Sequence, residues 1–116
     1  MAIMEAIESH YLEVDTASVT FSSLGSYEHL QLRINAKTTS TGDYYALHLT
    51  LNGDTGSNYS NHRIEGYGSS DQAYKTTGNT SIWGFSADGS GTGSEEYGGV
   101  IIDILDYQNG NKNTAV

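Results

Sequence analysis

The 116-residue sequence contains no cysteine and no proline. Without cysteine, a disulfide framework and a thiolate metal site are both excluded. Basic residues are also scarce, since five Lys and Arg stand against 14 Asp and Glu, giving a net charge of −9. A chain this acidic repels phosphate backbones and anionic lipid surfaces. We therefore expect neither a nucleic-acid partner nor a membrane partner.

Long apolar runs are missing as well. No stretch approaches the ~20 apolar residues that cross a bilayer, and MAIMEAIESH carries acids where a cleaved signal would carry Lys or Arg. The length suffices for one modest core, so we predict a single domain over residues 1–116. With 14 glycines, the sequence indicates many turns between short elements.

Apolar residues recur with a period of two along most of the chain, which predicts β-strands. The segments that show it are SVTFSSL, HLQLRINA, YYALHLTLNG and VIIDILDY. The predicted inward positions are Val19 and Phe21; Leu30, Leu32, Ile34 and Ala36; Tyr45, Leu47, Leu49 and Leu51; and Val100, Ile102 and Ile104. Because VIIDILDY is the most apolar segment, we predict that it is a central strand.

Turn-forming clusters separate these runs at intervals of roughly 8 to 12 residues. The spacing predicts about eight short strands and an all-β fold, an antiparallel sandwich or barrel. Helical character is confined to residues 4–7. The glycine-rich segment 87–99 is expected to be a long loop.

One polar segment, LTLNGDTGSNYSNHRI at residues 49–64, could be a loop that binds a ligand or metal, or it could be only a turn. Asn52-Gly53 after an alternating strand favours a hairpin, because both residues tolerate positive φ. A calcium loop needs about six oxygen ligands, and Asp54 is the only carboxylate before Glu65. We therefore expect a structural turn, with metal binding and glycan or partner contacts as the alternatives.

Catalytic constellations are absent from the sequence pattern. The four histidines have no tight ligand spacing, so no zinc site is expected. Glu95-Glu96 lies in the glycine-rich loop, and Asp103 and Asp106 point to opposite faces of an extended strand, so neither pair forms an acid–base dyad. No nucleophile elbow or phosphate loop is present. We predict no catalytic residue, no metal, no cofactor and no enzymatic activity.

The abundance of Tyr, Ser, Gly and Asn suggests a contact surface, since this mixture is typical of binding loops. The candidate contact positions are Asn58, Tyr59, His62, Tyr67 and Tyr97. The alternative is that the tyrosines are half-buried sheet residues with solvated hydroxyls. Trp83 is expected to fill the core or its rim. Arg33 and Arg63 are the available partners for Asp103 or Asp106.

Three segments carry a resemblance to a known group. SVTFSSLGSYEHLQLRINAKT, LNGDTGSNYSNHRIEGYGSS and GGVIIDILDYQNGNKNT resemble, in order and spacing, small virion proteins of tailed bacteriophages. These proteins share a YEHLQLR strand, an NGDTGSNY hairpin and an IDILDY strand. They are mostly described as structural or tail-fibre-like.

The resemblance implies a jelly-roll-like β-sandwich on a virion that is assembled in the host cytoplasm. It implies a capsid decoration, fibre or tail component whose partners are other virion proteins and copies of itself, with a trimer as the first expectation. The alternative is a fibre-tip module that binds a host-surface glycan or receptor. Relatives continue through further strands, so we expect residues beyond Val116, or a neighbouring subunit, to complete the sandwich.

Overall fold

A computed structural model describes residues 4–42, 44–88, 96–111 and 113–116. Within these residues the chain forms six strands and no helix. The strands are β1 (Leu30–Ala36), β2 (Tyr44–Leu49), β3 (Tyr59–Tyr67), β4 (Ser70–Asn79), β5 (Ile82–Asp88) and β6 (Gly98–Ile104). The all-β class is confirmed. We expected about eight strands, and the described residues contain six.

The strands form three two-stranded sheets, β1–β6, β2–β5 and β3–β4. The β2–β5 and β3–β4 pairs are antiparallel. Among the described strands β6 pairs only with β1, so the prediction of a central strand at VIIDILDY is wrong. Burial alternates along β6, so one of its faces is buried and the other, with Ile101, is exposed.

Contacts divide the chain into two compact units, residues 1–32 with 102–116, and residues 33–101. The first unit holds one end of β1 and one end of β6, and there Gln31 Nε2 donates a 2.8 Å hydrogen bond to Asp103 Oδ1. Near the chain end, Leu105 N donates to Ala115 O at 2.9 Å in an isolated antiparallel bridge.

The core of the described residues is small. Ile102 and Ile104 are the only buried hydrophobic residues there, with 3% and 8% of their surface exposed. The predicted inward positions of β1 are half-buried and alternate with exposed neighbours, so the face assignments of β1 and β6 are confirmed.

At the start of β2 the predicted inward position is wrong, because Tyr45 is 55% exposed. The register between β2 and β5 shifts at Leu47 and His48, where Gly84 of β5 is the extra residue. A bulge increases the local twist of the pair, so the two ends of β2 present different faces. Gly84 has φ +124°, a conformation that favours glycine.

The segment SVTFSSL forms no strand, contrary to expectation. It lies in an irregular region, residues 4–28, which contains neither strand nor helix. Only two apolar residues alternate in this segment, and one of them, Val19, is exposed. So short a pattern buries too little apolar surface to fix a strand. The helical character expected at residues 4–7 is likewise absent where the structure describes them.

Candidate functional site

The loop between β2 and β3 is held by hydrogen bonds among its own residues. Asn52 and Gly53 have φ of +54° and +68°, and Asp54 N donates to Leu51 O at 3.0 Å. These are the features of a two-residue turn with both central residues left-handed. The turn is therefore as predicted, but the hairpin is wrong, because β2 pairs with β5 and β3 pairs with β4. Residues 50–58 connect two different sheets.

The carboxylate of Asp54 organises the second half of this loop. Its Oδ1 accepts a hydrogen bond from Gly56 N at 2.8 Å, and Asn58 Nδ2 donates to Oδ2 at 2.9 Å. The Asn58 amide and then the Gly56 N–H lower the pKa of Asp54, because both hydrogen bonds stabilise the ionised form. Gly56 fits tightly, since a Cβ there would lie 2.9 Å from Asn58 Nδ2.

Tyr59 fastens the loop from its far side. Its hydroxyl accepts from Leu51 N at 3.0 Å and donates to Asp54 O at 2.9 Å. The side chain is half-buried and turned into the loop. Asn58 and Tyr59, which we predicted as contact residues, are therefore engaged in holding the loop together.

The other three predicted contact residues lie in β3 or just before β6. His62 lies within β3, exposed, and not in a loop. Tyr67 ends β3 and pairs with Ser70 across a turn at Gly68, and its side chain is outside the described part. Tyr97 precedes β6 and is exposed. The loop expected at residues 87–99 falls partly on residues 89–95, which lie outside the described residues.

Sequence reasoning missed a stack of an arginine between two aromatic rings. The guanidinium carbon of Arg63 lies 4.7 Å from the ring centre of Tyr74 and 4.8 Å from that of Trp83. Arg63 Nη2 donates to Glu65 Oε1 at 3.2 Å. The expected pairing of Arg63 with Asp103 or Asp106 is wrong, because Glu65 lies two residues away on the same face of β3.

The register explains this stack, and one sequence signal could have found it. Arg63 is opposite Tyr74 in the β3–β4 ladder, and β3 also contacts β5, which carries Trp83. The bulge at Gly84 leaves room for the arginine, since a Cβ at Gly84 would meet Arg63 Cδ at 3.1 Å. Glycine directly after Trp83 inside a strand pattern is the signal, because such a glycine marks a bulge or a close approach. Trp83 is half-buried, as expected for a residue at the rim of a core.

A polar cluster adjoins the arginine. Asn61 Nδ2 donates to Trp83 O at 2.8 Å, and Asn61 Oδ1 accepts from Thr76 Oγ1 and, at 3.3 Å, from Asn79 Nδ2. These bonds join β3, β4 and β5. Together with Arg63, the cluster places polar side chains between these strands.

No group of three or more His, Asp or Glu side chains in the described ranges is arranged to hold a metal ion. The described residues also include no helix long and apolar enough to span a membrane.

Comparison with known proteins gave no match: no family model, no curated protein and no solved structure is significantly similar to the chain.

Proposed function

We propose that this chain is a non-enzymatic structural protein of a bacteriophage virion, an exposed capsid decoration, fibre or tail component that acts through self-assembly. The supporting observation is its surface. Thirteen large hydrophobic side chains are exposed among the described residues, against two that are buried. Subunits of an assembly bury such groups against their neighbours.

The sheets support the same proposal. Two-stranded sheets are marginally stable by themselves, and three or more strands or a packed face are needed for independent stability. Each sheet in the described part of the chain has two strands, so no described strand covers its outer edges. Strands or side chains of neighbouring subunits would cover these sheet edges in an assembly. A trimer is the assembly we propose first.

The alternative, a glycan- or receptor-binding module, has weaker geometric support. Glycan sites use an exposed aromatic face, but Arg63 already lies over the rings of Tyr74 and Trp83. Tyr59 is occupied by its loop. Tyr97 is exposed, but the other predicted contact residues are at least 30 positions away from it in the sequence.

Quantitative mass spectrometry of gradient-purified particles of the encoding phage tests the proposal. We expect every particle to contain the chain at the same copy number. That number should be a multiple of the number of subunits in one oligomer of the chain. Its absence from washed particles would contradict a structural role. A glycan array with the purified chain separates the alternative, since a purely structural subunit should show no saccharide-dependent binding.

A further inference from the structure

We infer that Asn52 is a site of covalent modification, where the side-chain amide is lost by spontaneous deamidation through the neighbouring Gly53. The sequence contains two Asn-Gly pairs, Asn52-Gly53 and Asn109-Gly110. Asparagine before glycine is prone to this reaction, because glycine has no Cβ to block its own backbone nitrogen. The structure leaves the first pair open to the reaction and restrains the second. This inference does not depend on the proposed function.

The reaction is a ring closure followed by hydrolysis. The Gly53 backbone nitrogen loses its proton to a solvent base and attacks Cγ of Asn52, so that an N–Cγ bond forms. The Cγ–Nδ2 bond then breaks, and ammonia leaves with a proton taken from solvent. Water opens the resulting five-membered imide at either carbonyl carbon. Attack at Cγ gives aspartate, whereas attack at the backbone carbonyl carbon gives isoaspartate, in which the main chain passes through Cγ.

The Asn52-Gly53 pair is accessible and weakly restrained. Both residues are exposed, with φ of +54° and +68°. In the part of the chain that the structure describes, neither the Asn52 side chain nor the Gly53 N–H makes a hydrogen bond. The bond that closes the turn, from Asp54 N to Leu51 O at 3.0 Å, uses neither group. Solvent base therefore reaches the Gly53 N–H, and the Asn52 amide can rotate toward it.

The Asn109-Gly110 pair is restrained by hydrogen bonds of Asn109, which is half-buried. Its Nδ2 donates to Asp106 Oδ2 at 3.1 Å, and its Oδ1 accepts from Asn111 N at 3.0 Å. Its backbone N also donates to Asp106 O at 3.2 Å. Rotation of the amide toward Gly110 N would break the side-chain bonds. The Asp106 carboxylate also opposes the negative charge that develops on the attacking nitrogen.

The products would change the loop that follows the turn. Isoaspartate lengthens the main chain between Leu51 and Asp54, and either product adds a negative charge. Tyr59 bridges these two residues, since its hydroxyl accepts from Leu51 N at 3.0 Å and donates to Asp54 O at 2.9 Å. A longer main chain between them displaces one of the two partners. Deamidation should therefore lower the stability of the loop.

Peptide mapping of the full chain tests the inference. Trypsin separates the two pairs, because cleavage after Lys and Arg places Asn52 in peptide 38–63 and Asn109 in peptide 76–112. The purified chain is held at mildly alkaline pH, and tandem mass spectrometry follows the loss of each amide. We expect Asn52 to deamidate about tenfold faster than Asn109, because the side-chain hydrogen bonds of Asn109 must break first. An unincubated sample, digested identically, corrects for reaction during digestion.

Two variants provide matched controls. Asp106→Gly removes one partner of Asn109 and tolerates the φ of +51° at this position. It should accelerate deamidation at Asn109 several-fold and leave the rate at Asn52 unchanged. Asn52→Gly cannot deamidate at this position and also tolerates positive φ. Its melting temperature should stay constant on incubation, while that of the wild type falls as isoaspartate accumulates.

The unfolded chain distinguishes an effect of the fold from one of local sequence. In urea both pairs should react at similar rates, because neither is then restrained. Equal rates in the folded chain, a faster reaction at Asn109, or an advantage of Asn52 that persists in urea would each overturn the inference. If Asp106→Gly does not fold by circular dichroism, the comparison of folded and unfolded wild type decides. An unchanged melting temperature after Asn52 has reacted would contradict the effect on the loop.

Discussion

Single residues in this protein stabilise loops and strand junctions more than a core. Asp54, Tyr59 and Arg63 each make several directed contacts, whereas Ile102 and Ile104 are the only hydrophobic residues classed as buried among those described. Substitutions at these polar positions should therefore have effects usually associated with core residues.

The lowered pKa of Asp54 gives a prediction with a definite sign. Because the folded pKa lies below the ordinary value near 4, the ionised carboxylate stabilises the folded loop above that value, and this contribution is lost as pH falls through the lowered pKa. Asp54→Asn should thus lower the melting temperature near neutral pH. The difference from wild type should shrink as the pH falls through the lowered pKa of Asp54.

Asp71→Asn is the matched control, since it removes the same charge from an exposed position in β4. It should shift the melting temperature little at any pH. A pH-independent effect of Asp54→Asn would show that the carboxylate is not what holds the loop.

Arg63→Lys tests the stacked arginine. Lysine keeps the charge but lacks the planar group that stacks on both rings, so the variant should lose about 1–2 kcal/mol in the free energy of unfolding. Trp83 is the only tryptophan, so its fluorescence reports the change directly. Urea unfolding gives the energy. An unchanged emission maximum and unchanged stability would contradict the stack, and Arg33→Lys in β1 serves as the control.

At the scale of elements, burial alternates cleanly along β6, and neighbouring isoleucines there provide an internal comparison. Ile102 is 3% exposed and Ile101 is 66% exposed. Ile102→Ala should cost about 2–5 kcal/mol, and Ile101→Ala much less, because only the first leaves a cavity. Urea unfolding of both variants measures the difference. Equal costs would show that β6 buries neither face in solution.

The turn after β2 allows a second comparison of two matched variants, both of which replace glycine with alanine. A Cβ at Gly53 or at Gly99 would meet no atom within 4 Å, but only Gly53 has positive φ, +68°. Gly53→Ala should therefore destabilise by about 1–2 kcal/mol through backbone strain alone. Gly99→Ala should be neutral or slightly stabilising. A neutral Gly53→Ala in thermal melting would mean that the turn relaxes to another conformation.

The sequence predicted the local features of these elements better than their pairing. Alternation gave the faces of β1 and β6, and Asn52-Gly53 gave a turn with two positive φ angles. Which strands pair depends on long-range contacts, so the β2–β3 hairpin was predicted wrongly. The Arg63 stack needed both the β3–β4 register and the bulge at Gly84, and neither follows from a period of two.

At the scale of the whole molecule, exposed apolar side chains are the feature that most requires explanation. They include Tyr11 and Val14 before the first strand and, on β3, Ile64. Burial of such groups against copies of the chain would supply apolar contacts that the described core lacks. We therefore expect sedimentation equilibrium to give a discrete oligomer, first a trimer of the 12.5 kDa chain. A wholly monomeric chain would remove this support.

A density map of the encoding phage particle by cryo-electron microscopy tests the central proposal most directly. We predict density for this chain in several symmetry-related copies on the outside of the capsid or tail, with Tyr11 and Ile64 covered by neighbouring subunits. A map in which every exterior protein is assigned and none fits this chain would contradict the proposal that it is a structural component of the virion.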